Sequence, residues 1–203
     1  MNPFEPVLNW LRSRNIELNR REMALIRQYT VQRTAKAKEI LMAQDERVHK
    51  FYFLNSGIVR LFRIEEGNDH TLGLVNSRDF LSAPQLVFSN WVSTCGLETL
   101  TDAELLEWDS HALNTIKKYA PELYKIELAQ MMRLLDWVQQ NQIEMICLPA
   151  EKRYQLLLER QPELLLNIPL KYIASFLGIH TDSLSRIRKS HQAEGARRSR
   201  PRQ

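Results

Sequence analysis

Hydrophobic positions change their spacing twice along the chain. Over residues 3–30 they recur at helical intervals, with Val7, Leu8 and Leu11 in one run and Met23, Ile26 and Tyr29 in a second. Asn19 precedes the second run, where a short polar side chain can cap a helix. From about Lys38 to Trp108 the helical period gives way to short pieces rich in β-branched and aromatic residues. Phe51–Leu54 and Ile58–Ile64 are the clearest, divided by the turn Asn55-Ser56-Gly57. A second turn, Glu66-Gly67-Asn68-Asp69, leads into Thr71–Val75, so Ile58–Val75 reads as a hairpin. Further strands are expected near Ser93–Leu97 and Glu104–Trp108. Short strands at this spacing predict an antiparallel barrel or roll.

Helical spacing returns at Ser110. A short helix over Ser110–Lys118 stops before Pro121, and a longer one is expected over about Pro121–Ile146. Its apolar positions, Leu123, Ile126, Met131, Leu134, Leu135, Val138 and Met145 with Gln142 among them, form a stripe wide enough for two neighbours. One face can pack on the roll and the other against the same helix of a second subunit; a purely intramolecular core helix would account for the same stripe. Pro149 ends it. Helices then follow near Ala150–Arg160, Leu170–Leu177 and Asp182–Lys189. The fold class is therefore α+β, a β-roll followed by helices.

Composition narrows the function. An apolar share of 44% and a charged share of 26% are those of an ordinary globular protein. The start, MNPFEPVLNW, has no secretory-signal pattern. No stretch approaches the roughly 18 apolar residues that span a bilayer, so a cytoplasmic protein without membrane contact is expected. The two cysteines, Cys95 and Cys147, are far apart and read as small hydrophobes. The five histidines (His49, His70, His111, His180 and His191) show no metal spacing, and no cofactor is indicated. No catalytic triad, P-loop or paired-carboxylate pattern occurs, which argues against an enzyme. The net charge is +4, but its distribution is uneven. From Pro169 to the end, eight Lys and Arg face only Asp182 and Glu194, a local excess of six. That end suits a polyanion.

The segment from Pro169 to Lys189 carries the most chemistry. Pro169 can start a helix whose apolar face is Leu170, Ile173, Ala174 and Leu177. Small Ala174 lets a second helix cross closely, and Gly178 suits a tight interhelical turn that needs positive φ. Thr181 is expected to cap the next helix, with Asp182 set against its N-terminal dipole. There Leu184 and Ile187 point inward, while Asp182, Ser185, Arg186 and Lys189 share the opposite face. Such a face fits a DNA major groove: Arg186 can meet a guanine edge, Asp182 a cytosine amino group, and Ser183 and Arg188 phosphates. The alternative is an amphipathic helical hairpin with a charged outer face.

With these residues in view, the chain resembles the cyclic-AMP receptor protein/fumarate–nitrate reduction regulator (Crp/Fnr) superfamily over essentially its whole length. The resemblance rests on Lys38–Leu41 with Gln44-Asp45, Phe51-Tyr52-Phe53 with Gly57-Ile58-Val59-Arg60-Leu61, Asp79-Phe80, and Thr99–Leu106. It is strongest at Ile173–Ile179 and Thr181–Ile187. It implies a β-roll sensor domain with N-terminal helices (1–120), a dimerisation helix (121–148), a helix-turn-helix domain (149–191) and a basic, disordered tail (192–203). It also implies a homodimeric transcription regulator that binds double-stranded DNA through Thr181, Asp182, Ser183, Ser185, Arg186, Arg188 and Lys189, and pairs through helix 121–146.

Two departures bear on that expectation. Cyclic-nucleotide binders of the family carry Gly-Glu after the Asp-Phe pair and Arg-Ser/Thr-Ala before the Leu-Thr-Asp stretch. Here Ser82-Ala83 and Ser93-Thr94-Cys95 stand in those places, so both the carboxylate and the guanidinium are missing. Burying a phosphate without a cation is costly. Ser82, Ala83, Ser93 and Thr94 are thus the expected pocket for an effector other than cyclic AMP, if the protein has one. Trp91 beside Val87 and Phe88 either lines that pocket or packs in the core. The family's β-hairpin wing also has no counterpart after the last helix. The competing reading is a ligand-sensing or protein-interaction module whose output is not DNA binding.

Overall fold

The structure is a computed structural model and describes residues 2–76, 78–81, 92–120 and 123–198. Two helices open the chain, α1 (Glu5–Arg12) and α2 (Arg20–Tyr29). Asn19 caps α2 as expected: its side chain accepts from the Arg21 and Glu22 amides at 2.9 and 3.0 Å, while Glu22 accepts from the Asn19 amide at 2.8 Å. Eight strands follow: β1 (Val31–Ala35), β2 (Ile40–Met42), β3 (Lys50–Ser56), β4 (Ile58–Glu65), β5 (Asn68–Asn76), β6 (Asp79–Leu81), β7 (Gly96–Thr99) and β8 (Ala103–Asp109). They form two four-stranded antiparallel sheets, ordered β1-β8-β3-β6 and β2-β7-β4-β5. The roll and its β4–β5 hairpin match the sequence expectation. β1, β2 and β6 are additions, and β7 begins later than Ser93. The Ser93 hydroxyl donates to the Cys95 carbonyl at 2.6 Å, turning the backbone there before it extends.

The interior of the roll is built from Tyr52, Leu54, Val59, Leu97 and Leu105. Side chains of the Thr99–Asp102 stretch stitch it together. The Thr99 hydroxyl donates to the Lys36 carbonyl at 2.5 Å, Thr101 accepts from the Ile58 amide at 2.9 Å, and Asp102 accepts from the Ala37 amide at 3.0 Å. Gly57 has φ +102, and a Cβ there would stand 2.7 Å from the Asp102 carbonyl oxygen, so only glycine fits the tight β3–β4 turn. Outside the first sheet, α1 and α2 cover an aromatic group in which Phe80 stacks on Phe51 at 5.0 Å and meets Trp10 edge-on at 4.8 Å.

The helical half begins with α3 (Ser110–Tyr119), capped by Asp109, and continues with α4 (Tyr124–Cys147). At 1.5 Å per residue, 24 residues make α4 about 36 Å long. Its two faces separate. Leu123, just before it, is buried, and Ile126, Met131 and Leu134 are half-buried on the roll side. Leu128, Met132, Leu135, Val138, Met145 and Ile146 are exposed, Leu128 at 64% and Leu135 at 60%. The C-terminal unit comprises α5 (Ala150–Arg160), α6 (Pro162–Asn167), α7 (Leu170–Phe176) and α8 (Thr181–Arg198). α6 was not foreseen. α8 also runs on to Arg198 where the sequence led us to expect a disordered tail from 192. Gln192, Ala193, Glu194 and Ala196 are compatible with helix, Gly195 weakens it without breaking it, and Pro201 lies farther on. No described helix is long and apolar enough to cross a membrane.

Candidate nucleic-acid interface

The C-terminal unit holds its outer face in place from within. Ile173, Ala174, Leu177 and Leu184 are buried together with Tyr154, Leu157 and Leu164. The turn between α7 and α8 is closed by Gly178 N–H to the Ser175 carbonyl and Ile179 N–H to the Ala174 carbonyl, both 3.0 Å. Gly178 has φ +64, the left-handed conformation expected of it. α8 starts at Thr181, so His180 rather than Thr181 holds the position before the helix, and its carbonyl accepts from Leu184 N–H at 3.1 Å. Arg153 braces the turn by donating to the Leu177 carbonyl at 2.8 Å.

On α8, Leu184 and Ile187 are buried, and Thr181, Asp182, Arg186 and Lys189 are exposed. Ser183, Ser185 and Arg188 are half-buried at the margins. Among the described residues, Arg186, Arg188 and Lys189 form no ion pair, so their charges are open to an external anion. The Ser185 hydroxyl donates to the Thr181 carbonyl at 3.0 Å, which leaves it a hydrogen-bond acceptor toward any outside partner. The seven residues singled out in the sequence thus lie on one short stretch of one helix.

The back of this unit rests on the roll, a contact that the sequence did not disclose. α7 lies along β5, where the Ser175 hydroxyl accepts from the Thr71 amide at 2.8 Å. Ile58 and Leu74 join the apolar core of the helical unit. Arg60 is only 4% exposed and sits at this seam. It donates to Glu98 at 2.5 Å and to both oxygens of Asp69 at 2.6 and 2.9 Å, and its guanidinium lies 4.3 Å from the Tyr172 ring centroid. Burial works against the Arg60 charge, but the bonds to Asp69 and Glu98 outweigh it and hold the guanidinium above its ordinary value.

The expected effector residues are not gathered in this way. Ser82, Ala83, Val87, Phe88 and Trp91 lie outside the described residues. Ser93 is fully buried, with its hydroxyl committed to the Cys95 carbonyl. Thr94 is exposed, and its carbonyl accepts from Arg63 at 2.6 Å. Asp79 is paired instead with Arg133 of α4, and Gln130 of α4 donates to the Phe80 carbonyl at 3.3 Å, tying the β6 edge to the long helix.

Residues 32–119 match the family described as the cyclic nucleotide-binding domain. In fold, the chain is similar to several solved structures over most of its length. The c-di-GMP-responsive global regulator CLP from Xanthomonas campestris is 18% identical, with 87% of this chain and 93% of that one covered and a TM-score of 0.69. FixK2 from Bradyrhizobium japonicum is 16% identical over 82% of this chain and 86% of its own, with a TM-score of 0.72. A CooA mutant from Carboxydothermus hydrogenoformans is 16% identical over 93% of this chain and 84% of its own, at a TM-score of 0.67. A comparison with curated proteins finds no match by sequence.

Proposed function

We propose that the chain is a homodimeric, sequence-specific DNA-binding transcription regulator, with α8 as the helix that reads the major groove. The observation that carries this reading is the outer face of α8. Asp182, Arg186 and Lys189 stand exposed there, while Leu184 and Ile187 anchor the helix from behind. Short polar groups at the helix start and an arginine one turn later are suited to base edges, and the flanking cations to phosphates. In this assignment Arg186 and Asp182 read bases, whereas Thr181, Ser183, Ser185, Arg188 and Lys189 contact the backbone or the groove margin.

The dimer follows from α4. Leu128, Met132, Leu135, Val138, Gln142 and Met145 succeed one another at steps of three and four residues, the spacing of a two-helix seam. A second copy of the same helix is the occupant that this spacing suits. Two copies then present two recognition helices, and the bound site has matching half-sites about one helical turn apart. A titration of fluorescent duplex DNA across a salt series tests the reading. Affinity is expected to fall steeply as salt rises, because each neutralised phosphate releases counterions. Absence of binding at low salt contradicts it.

A further inference from the structure

The helical unit α5–α8 joins the rest of the chain through one short link, Leu148-Pro149, between α4 and α5. Two arginines tie it to the end of α4: Arg153 donates to the Leu148 carbonyl at 2.6 Å, and Arg160 pairs with Glu144 at 2.7 Å. A body held at one end alone stays free to swing about that end. A second attachment removes this freedom, and it lies on the second sheet of the roll. There the Arg60 guanidinium lies over two rings, 4.7 Å from the centroid of Phe62 in β4 and 4.3 Å from that of Tyr172 in α7. Glu98 and Asp69 hold the guanidinium from the roll side, so Tyr172 meets a cation whose position is already fixed. Burial away from water strengthens the pull of such a cation on a ring. The bond from the Thr71 amide to the Ser175 hydroxyl and the packing of Ile58 and Leu74 into the helical core complete the seam.

We propose that this seam fixes the angle at which α8 is presented and so sets the spacing of the two half-sites, with Arg60 and Tyr172 as positioning residues. The inference rests on the DNA-binding reading and adds to it a determinant of specificity that never touches DNA. The α4 helices pair the two copies, whereas the roll, through Arg60, decides how each helical unit stands against that pair. One base pair more between the half-sites changes their separation by about 3.4 Å and their relative rotation by about a tenth of a turn. Two rigidly held helices meet such a change only by losing contacts. Two helices that swing on the Leu148-Pro149 link absorb it. Tyr172 and Ser175 belong to α7 and are not among the residues of the α8 face, so substituting them leaves the base-reading side chains in place.

The test uses fluorescent duplexes carrying the repeat that the full wild-type chain selects, with the central gap shortened or lengthened by one and by two base pairs. Wild-type affinity is expected to fall by about tenfold or more for a change of one base pair. Tyr172→Leu removes the ring that faces Arg60, and its fall is expected to shrink to about threefold or less. Preference for bases within each half-site should stay as in the wild type, which a general loss of folding would not produce. Tyr172→Phe keeps the ring and is expected to restore the wild-type spacing profile. Ser175→Ala removes one bond of the seam and no apolar surface, and it is expected to flatten the profile in the same direction; it decides the matter if Tyr172→Leu loses its cooperative melting transition. The proposal is overturned if the folded variants keep the wild-type profile, or if they bind more tightly at every spacing, which would make the seam a restraint on binding. A wild-type chain that binds DNA without any spacing preference overturns this inference alone. A wild-type chain that binds no DNA overturns the DNA-binding reading itself, so the two failures are told apart.

Discussion

Arg186 and Lys189 share an exposed face of α8 and the same charge, yet their chemistry separates them. The planar guanidinium of Arg186 can meet two acceptors of one guanine, whereas the Lys189 ammonium is a point charge suited to phosphate. Arg186→Ala is expected to cost roughly 1–3 kcal/mol and to relax preference at one base pair, and Lys189→Ala to weaken all sequences about equally. Competition binding against a panel of single-base variants distinguishes the two patterns. Asp79 supports a prediction of a different kind. Burial pushes its carboxyl above the ordinary range, and Arg133 and Arg14 counter this only in part. A carboxyl raised in this way holds its proton more tightly in the folded chain. Its contribution to stability is full below the ordinary carboxylate range and is lost as pH rises through the raised value. Asp79→Asn removes that dependence, so the variant should gain on the wild type as pH rises through this interval in urea denaturation. The exposed face of α8 was legible in the sequence because burial of Leu184 and Ile187 dictates what faces outward. The Arg60–Tyr172 contact was not, since nothing local links a strand arginine to a tyrosine more than a hundred residues away.

α4 was read from its spacing as a helix with two apolar faces, and the structure separates those faces. Leu123, Ile126, Met131 and Leu134 turn to the roll, while Leu128, Leu135 and Val138 remain exposed. An exposed apolar row of this length on a charged protein calls for a partner. Leu135→Glu places a charge in the middle of the proposed seam and is expected to convert a dimer into a monomer in sedimentation analysis, with the helical signal retained. A variant that sediments like the wild type would remove α4 from the interface. The elements that escaped sequence reading share a physical cause. β2 and β6 have three residues each, too few for an alternating pattern, and β1 is an edge strand with only Ala35 buried. At the other end, the helix-compatible residues beyond Ser190 carry α8 through a segment whose charge and glycine suggested a loose tail.

At the scale of the molecule, the roll and the helical unit are one packed object. α7 lies on β5, Thr71 bonds Ser175, and Arg60 spans the seam between Glu98, Asp69 and Tyr172. The order of roll, long helix and helical hairpin was legible from periodicity and from the Crp/Fnr resemblance; the way they pack against one another was not, because it depends on contacts distant in sequence. In the proposed complex, two copies of α8, held by paired α4 helices, read one DNA site. Selection of binding sites by the purified chain from a random duplex library tests it most directly. Enrichment of an inverted repeat whose half-sites lie about one helical turn apart is expected. Arg186→Ala is expected to lose preference at one position in each half. Recovery of unenriched sequence, or of a single half-site unaffected by Arg186→Ala, would contradict it.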